Sequence, residues 1–308
     1  MNKTFGMIAV VGRPNVGKSS LVNKAVGMKV AIVSDKPQTT RTRIMGVLTR
    51  KDEQLVFVDT PGFHKPKNKL GNNMIKSVSA GIADVDAAVL VVDAAPKFKF
   101  NPESLPEAER DLAAQLQNRK IPTVLVINKI DLLEDKETLL SMITAYNRLM
   151  QFEAVVPLSA KSGDGVDLLL DEISKFTVES EHYFDDDDFT DQSERILAAE
   201  MIREKLLRFL SDEVPHGIAV EIERFRERND SALKPILEIH AVIYCERDSH
   251  KGIIIGKGGS KLKKIGTRSR EDLERFFDCK VALKLWVKVK EDWRNSASAI
   301  HSLGLDDI

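Results

Sequence analysis

The sequence predicts an α/β chain of two domains, a mostly parallel sheet with helices on both faces followed by a smaller α+β domain. Three observations carry this. Over the first 180 residues, short β-branched runs alternate with longer amphipathic segments, the pattern of repeated strand–helix–strand units. A glycine-rich loop, Gly12-Arg13-Pro14-Asn15-Val16-Gly17-Lys18-Ser19, joins the first such run to the first helical segment. Past an acidic stretch at Glu181–Glu194 the order changes to helix, two strands, a glycine-rich turn, a helix and a strand. With 308 residues, 43% of them hydrophobic, the chain can bury two cores, and disorder throughout is excluded.

Met7–Val11 reads as the first buried strand. Arg43–Arg50 reads as the antiparallel edge partner of Leu55–Val58, and Ala87–Val92, Thr123–Ile127 and Ala154–Leu158 as further buried strands. Helical period fills Glu107–Asn118 and Lys136–Met150. These elements define a domain at 1–180. Residues 181–193 form a linker whose surroundings carry seven carboxylates (Glu181, Asp185, Asp186, Asp187, Asp188, Asp191 and Glu194) and no Lys or Arg. Such a run repels itself and stays solvated. In the second domain, 194–308, Ser193 caps a helix over Glu194–Leu210. Strands Ile218–Arg226 and Ile236–Tyr244, helix Ser260–Phe277 and strand Ala282–Val289 follow.

The 46 Lys and Arg nearly cancel the 47 Asp and Glu, which rules out a basic coat over the whole molecule but not a local basic face. Cys245 and Cys279 make no disulfide framework, which points to a reducing compartment. Met1–Gly6 lacks the apolar core of a signal peptide, and Val85–Ala95 is too short and too interrupted by Asp86 and Asp93 to span a bilayer. A soluble, cytoplasmic protein is expected.

Gly12–Ser19 has the spacing of a phosphate-binding loop. Its glycines let backbone N–H groups turn around a β-phosphate, and the following helix adds the positive end of its dipole. Lys18 reaches the β- and γ-phosphates and the Ser19 hydroxyl binds Mg²⁺. Asp59-Thr60-Pro61-Gly62 closes the third strand, where Asp59 holds Mg²⁺ through water and the Gly62 N–H meets the γ-phosphate. Asn128-Lys129-Ile130-Asp131 supplies base selectivity. The Asp131 carboxylate accepts from both N1–H and the exocyclic amine of guanine, donors that adenine lacks, and such mismatches discriminate by about 10⁴–10⁵. Ser159-Ala160-Lys161 offers a backbone N–H to guanine O6. GTP and GDP are therefore the expected ligands. Phe63 stands where related enzymes place a water-orienting Gln, so intrinsic turnover is expected to be slow.

Together Gly12–Ser19, Asp59–Gly62, Asn128–Asp131 and Ser159–Lys161 resemble the translation-factor class of GTPases, and Gln38-Thr39-Thr40-Arg41-Thr42 is similar to the first switch loop of its Era subgroup. That resemblance implies Thr40 as a Mg²⁺ ligand in the GTP state, Thr39 being the alternative, and a catalytic set of Lys18, Thr40 and Gly62. In related GTPases an Asn at the position of Asn15 ligates K⁺; a loop-stabilising hydrogen bond is the other reading of this residue.

Ile255-Gly256-Lys257-Gly258-Gly259-Ser260-Lys261 places a Gly-x-x-Gly loop at a helix entrance, the device by which KH domains clamp about four nucleotides of single-stranded nucleic acid. Lys251–Arg294 contains 13 Lys or Arg against 6 Asp or Glu, a net +7. Gly256, Lys257, Gly258, Gly259, Lys261 and Lys264 are the candidate RNA contacts, and the element order is that of a type II KH fold. Trp286 either stacks a base or packs in the core. The acidic linker either acts as a hinge alone or competes with RNA for this basic face. The resemblance to the Era subgroup extends to this block and implies binding to the 3′ end of 16S rRNA, a role in assembling the small (30S) ribosomal subunit, and a monomer. It also implies peripheral attachment to the inner membrane, so a membrane-associated cell-cycle signalling GTPase is the alternative. An RNA-modification GTPase is disfavoured because no further catalytic domain fits in the length. Residues Phe63–Asn73 are expected to form a mobile segment that touches the KH domain in one nucleotide state.

Overall fold

The computed structural model describes residues 2–36, 38–63, 68–95, 100–211, 214–228 and 235–305. β1 (Thr4–Val11) lies inside the first sheet between β3 (Glu53–Asp59) and β4 (Ala87–Asp93). The order runs β2-β3-β1-β4-β5-β6, with β2 at Ile44–Arg50, β5 at Thr123–Asn128 and β6 at Ala154–Leu158. Only β2 runs antiparallel within this path. A two-residue β7 (Val178–Glu179) closes on the start of β1. β4 and β5 are apolar without alternation because helices cover both faces. On one face α1 (Lys18–Val26) and α5 (Val166–Ile173) bury Leu21, Val22, Leu169 and Leu170 against Ile8, Val10 and Phe57. On the other, α2 (Lys69–Gly81), α3 (Glu107–Asn118) and α4 (Lys136–Asn147) bury Val78, Leu112, Leu116 and Met142 against Val11, Leu90 and Leu125. The carboxyl ends of β1, β3, β5 and β6 thus open on one rim, where α/β sheets bind ligands.

The acidic segment is more ordered than a solvated run. Most of its carboxylates are exposed, but Val47 N–H donates to Phe189 O at 3.0 Å, and Tyr183 and Phe184 N–H donate to Gln54 Oε1 at 2.9 and 3.0 Å. The half-buried His182, Phe184 and Phe189 anchor it while most of the charges stay exposed.

Ser193 does cap the next helix, α6 (Glu194–Phe209), accepting from Ile196 N–H. β8 (Ala219–Arg228), β9 (Ile236–Cys245), α7 (Asp248–Ile255), α8 (Ser260–Phe277) and β10 (Lys280–Val289) follow. β9 is central, antiparallel to β8 and parallel to β10. Ile202, Leu206, Ile239, Ile243, Ile265 and Leu273 fill the second core. Trp286 is 42% exposed on the outer sheet face, edge-on to His240 at 5.3 Å, so it is not a core residue. Trp293 is the buried tryptophan. With Ile300 of α9 (Ala297–Ser302) it packs around Leu70 of α2, joining the domains. The expected mobile segment is therefore partly helix: Lys69–Asn73 open α2, whereas residues 64–67 lie outside the described residues.

Candidate functional site

The phosphate loop leaves β1 with three residues in the left-handed region or near it. Gly12 (φ 153°) could carry no Cβ, which would lie 2.4 Å from Val91 O, and Gly17 (φ 102°) is equally tight against Asn128. Asn15 also takes positive φ, 65°. Lys18 Nζ donates to Gly12 O at 3.1 Å and to Arg13 O at 3.0 Å, so the ammonium closes the loop on itself. Burial pushes its pKa down to about 8, with the Asp59 charge opposing.

Ser19, Thr40 and Asp59 arrive from α1, the loop before β2 and the end of β3, and meet. Ser19 Oγ donates to Asp59 Oδ2 at 2.6 Å and lies 2.9 Å from Thr40 Oγ1. Asp59 is fully buried and its Oδ1 has no hydrogen-bond partner. Burial raises its pKa to about 6, against the pull of Lys18 and the Ser19 hydrogen bond. Two hydroxyls and a buried carboxylate oxygen without a donor fit a hard divalent cation.

Gly62 sits against the loop. A Cβ there would lie 2.7 Å from Pro14 Cα, and the next residue's N–H donates to Gly12 O at 3.2 Å. Pro61 and Thr60 are buried, and Thr60 Oγ1 donates to Val10 O at 3.0 Å, so this Thr is a strut. The Phe63 ring packs on the apolar cluster of α2–α4.

The base-recognition loops are tied together by Asn128. Its Nδ2 donates to Val16 O at 2.8 Å, while its Oδ1 accepts from Lys129 and Ala160 N–H at 2.8 and 2.9 Å. Asn128 therefore braces the pocket. Ala160 N–H is spent on that brace and Ser159 N–H on Asp164 O. Lys129 donates to Asn15 O at 2.7 Å and Asp93 Oδ2 at 2.5 Å. Ser159 Oγ donates to Asp131 Oδ1 at 2.7 Å, which orients an otherwise exposed carboxylate. The cavity beside these loops, about 310 Å³, is lined by Pro14, Asn15, Lys18, Ser19, Thr40 and Gly62 among others.

Motif reading missed Glu109. Fully buried on α3, it accepts from Arg13 Nε at 2.5 Å and from the Tyr146 hydroxyl, so the loop is anchored from behind. No spacing announces it, because an acid within an amphipathic helix reads as surface.

In the second domain α7 and α8 flank the Gly-x-x-Gly turn, in which Gly256, Gly258 and Gly259 have φ of 73°, 59° and 76°. Lys257 and Gly258 are exposed, and Lys261 is half-buried. A groove of about 440 Å³ runs from Gly259 along Leu262, Lys263, Gly266 and Arg270 to Leu283 and Leu285. Lys264, counted among the nucleic-acid contacts from sequence, turns away. Its Nζ lies 4.9 Å from the Phe209 ring centroid on α6, whereas Lys263 and Arg270 line the groove.

A mostly parallel sheet with these phosphate, magnesium and guanine loops, joined to a Gly-x-x-Gly α+β domain, defines a P-loop GTPase carrying a KH domain. Family models agree: residues 7–129 match that of the 50S ribosome-binding GTPases and residues 213–294 that of KH domains. The chain is 49% identical to the GTPase Era of Clostridioides difficile (strain 630), over 98% of both chains, and 48% identical to that of Ruminiclostridium cellulolyticum over 99% and 98%. It superimposes with a TM-score of 0.91, at 35% identity and over 99% of its length, on a crystal structure of Era with MgGDPNP and nucleotides 1506–1542 of 16S ribosomal RNA. The same score and identity hold for an Aquifex aeolicus Era variant bound to GDP and AlF₄⁻. The chain belongs to the Era family of GTPases.

Proposed function

We propose that this GTPase binds the 3′ end of 16S rRNA in its KH groove and uses the nucleotide state to time that binding during small-subunit assembly. The observation that carries the reading is the groove itself. Three positive-φ glycines let a sugar–phosphate backbone approach the α7–α8 turn, Lys257, Lys263 and Arg270 neutralise it, and Leu262, Leu283 and Leu285 provide apolar floor for bases.

Ser19, Thr40 and Asp59 would hold Mg²⁺, which would supply positive charge to neutralise the nucleotide's phosphates. Lys18 exchanges its bonds to Gly12 O and Arg13 O for phosphate oxygens. Gly62, pressed on Pro14, brings its N–H to the γ-phosphate end of the loop. Phe63 supplies no polar group to the attacking water, so the unassisted rate is slow, on the order of that of uncatalysed Ras, about 10⁻⁴–10⁻³ s⁻¹.

Asn15 Nδ2 donates to Asp35 O at 2.9 Å, the loop-stabilising hydrogen bond that is the other reading of this residue. A K⁺ role requires the amide to turn over, so that Oδ1 and the Asp35 carbonyl both face the ion. Exchange of KCl for NaCl at constant ionic strength slows hydrolysis several-fold on this reading, and equal rates refute the ion.

The decisive experiment is a titration of a fluorescent 16S 3′-end oligonucleotide with the full chain, loaded with a GTP analogue and then with GDP. Tighter binding with the analogue is expected. Absence of binding in both states refutes the RNA assignment, and equal binding refutes the timing.

A further inference from the structure

Arg41, the residue after Thr40, buries its side chain in the KH domain, where only 3% of it is exposed. Nη1 donates to Ile218 O at 2.6 Å and Nη2 to His216 O at 3.2 Å, and the guanidinium carbon lies 5.6 Å from the Trp293 ring centroid. Trp293 Nε1 in turn donates to the carbonyl in between, Gly217 O, at 2.9 Å. Three consecutive carbonyls at the end of the 3₁₀ turn Val214–Gly217 therefore hold both the guanidinium and the ring against it. The cradle is closely built: a Cβ on Gly217 would lie 2.9 Å from Glu246 Oε2, an atom paired with Arg294 at 2.5 Å.

Further holds come from α6. Arg203, fixed by Glu200 at 2.7 Å, donates to Thr39 O. Val33 N–H donates to Glu204 Oε1 at 3.3 Å, and Arg208 donates to Val33 O at 3.2 Å. The second domain thus holds Thr39 by its carbonyl and Arg41 by its side chain, while Thr40 itself faces Ser19 Oγ. Burying a guanidinium on neutral carbonyls is a costly arrangement.

We infer that Arg41 and Arg203 are positioning residues through which the KH domain builds the Thr40 side of the magnesium site, and so sets the chain's preference for GTP over GDP. The inference rests on Ser19, Thr40 and Asp59 being the ligand set. Switch-loop contacts to the ion and γ-phosphate belong to the triphosphate state and are released with GDP. Ordering a loop costs conformational entropy for each residue fixed. Contacts that order it in advance therefore favour GTP and leave GDP alone. By linkage, a GTP-loaded G domain must also hold the KH domain more firmly.

The test uses full-length Arg41→Ala, Arg41→Lys and Arg203→Gln, with dissociation constants for GDPNP and GDP measured in Mg²⁺ and again in EDTA. Arg41→Ala is expected to weaken GDPNP about tenfold, within the usual range of coupling between sites, and to change GDP by less than about twofold. Arg41→Lys recovers only part, because one ammonium lacks the planar fork that reaches two carbonyls at once. Arg203→Gln, a change made in the other domain, moves the same ratio in the same direction. It carries the test if circular dichroism shows Arg41→Ala unfolded. In EDTA the variants rejoin the wild type. Equal weakening of both nucleotides, or an unchanged ratio, overturns the inference alone. A wild-type chain that binds neither nucleotide overturns the site assignment beneath it.

Discussion

Gly62→Ala is the substitution whose consequence the structure defines most closely. The added methyl would lie 2.7 Å from Pro14 Cα and 2.8 Å from both Pro14 N and Pro14 Cγ, three contacts well inside van der Waals separation. Pro14 has little room to retreat. Its ring fixes φ, Arg13 before it is held by Glu109, and Asn15 after it is held by Lys129. The second switch must move instead, which forfeits the Phe63 N–H bond to Gly12 O, about 1 kcal/mol. Forcing the methyl in costs about 1–3 kcal/mol by analogy with other overpacked sites. The closed arrangement is disfavoured by the overpacking term alone, about 1–3 kcal/mol, or roughly 5- to 150-fold in hydrolysis, because the hydrogen bond is lost only in the displaced arrangement. Single-turnover phosphate release from preloaded GTP reads this directly, with GDP affinity as control because GDP needs no contact from Gly62. A hydrolysis rate within threefold of wild type, or a matching loss of GDP affinity, would refute the reasoning.

Asp131→Asn exchanges an acceptor for a donor where guanine presents donors, so GTP binding should fall by about 10² or more while xanthosine triphosphate binding rises; competition between the two nucleotides checks it. In nucleotide-free, magnesium-free protein, Asp59 holds its proton up to about pH 6 against an ordinary value of 3.8. Its contribution to stability is therefore complete below pH 3.8 and lost as pH rises through 6. Asp59→Asn should accordingly be more stable than wild type at pH 7 by up to about 3 kcal/mol and no more stable at pH 4 in urea melts. A difference independent of pH would contradict the burial argument. Gly258→Asp places a carboxylate at the exposed tip of the Gly-x-x-Gly turn, where φ is 59° and no atom lies within 4 Å of a new Cβ. The fold should survive, RNA binding should drop at least about tenfold, and GTP hydrolysis should stay within twofold; loss of both activities together would show the sites to be inseparable.

The nucleotide pocket was legible because its chemistry is local. A loop that wraps a phosphate needs glycines at fixed intervals, and a carboxylate that reads guanine needs a set place after a strand, so Gly12–Ser19 and Asn128–Asp131 could be read from spacing alone. What spacing could not show are contacts between residues far apart in sequence. Glu109 meets Arg13 across 96 positions and Arg41 meets Ile218 across 177, and each looks like an ordinary surface charge in its own segment. The helix α7 was missed because Asp248-Ser249-His250-Lys251-Gly252-Ile253-Ile254-Ile255 mixes a glycine with a β-branched run, a composition that argues against helix until α8 and β10 pack on it. Trp286 was ambiguous for a related reason, since strand alternation shows which residues share a face and not which face is covered.

The acidic segment also bears on how this chain avoids its own kind. β2 is the outermost strand of its sheet, and its free backbone groups would otherwise template a strand from a neighbouring molecule. Phe189, Thr190 and Asp191 lie along it: Gly46 forms a bridge with Thr190, Thr190 Oγ1 donates to Met45 O at 2.7 Å, and Met45 N–H donates to Asp191 Oδ1 at 3.0 Å. The same residues that shield the edge shorten the tether. Slack between Glu179 and Glu194 is taken up on the sheet, so a wide swing of the KH domain requires peeling this strip away, baring an aggregation-prone edge for as long as the excursion lasts.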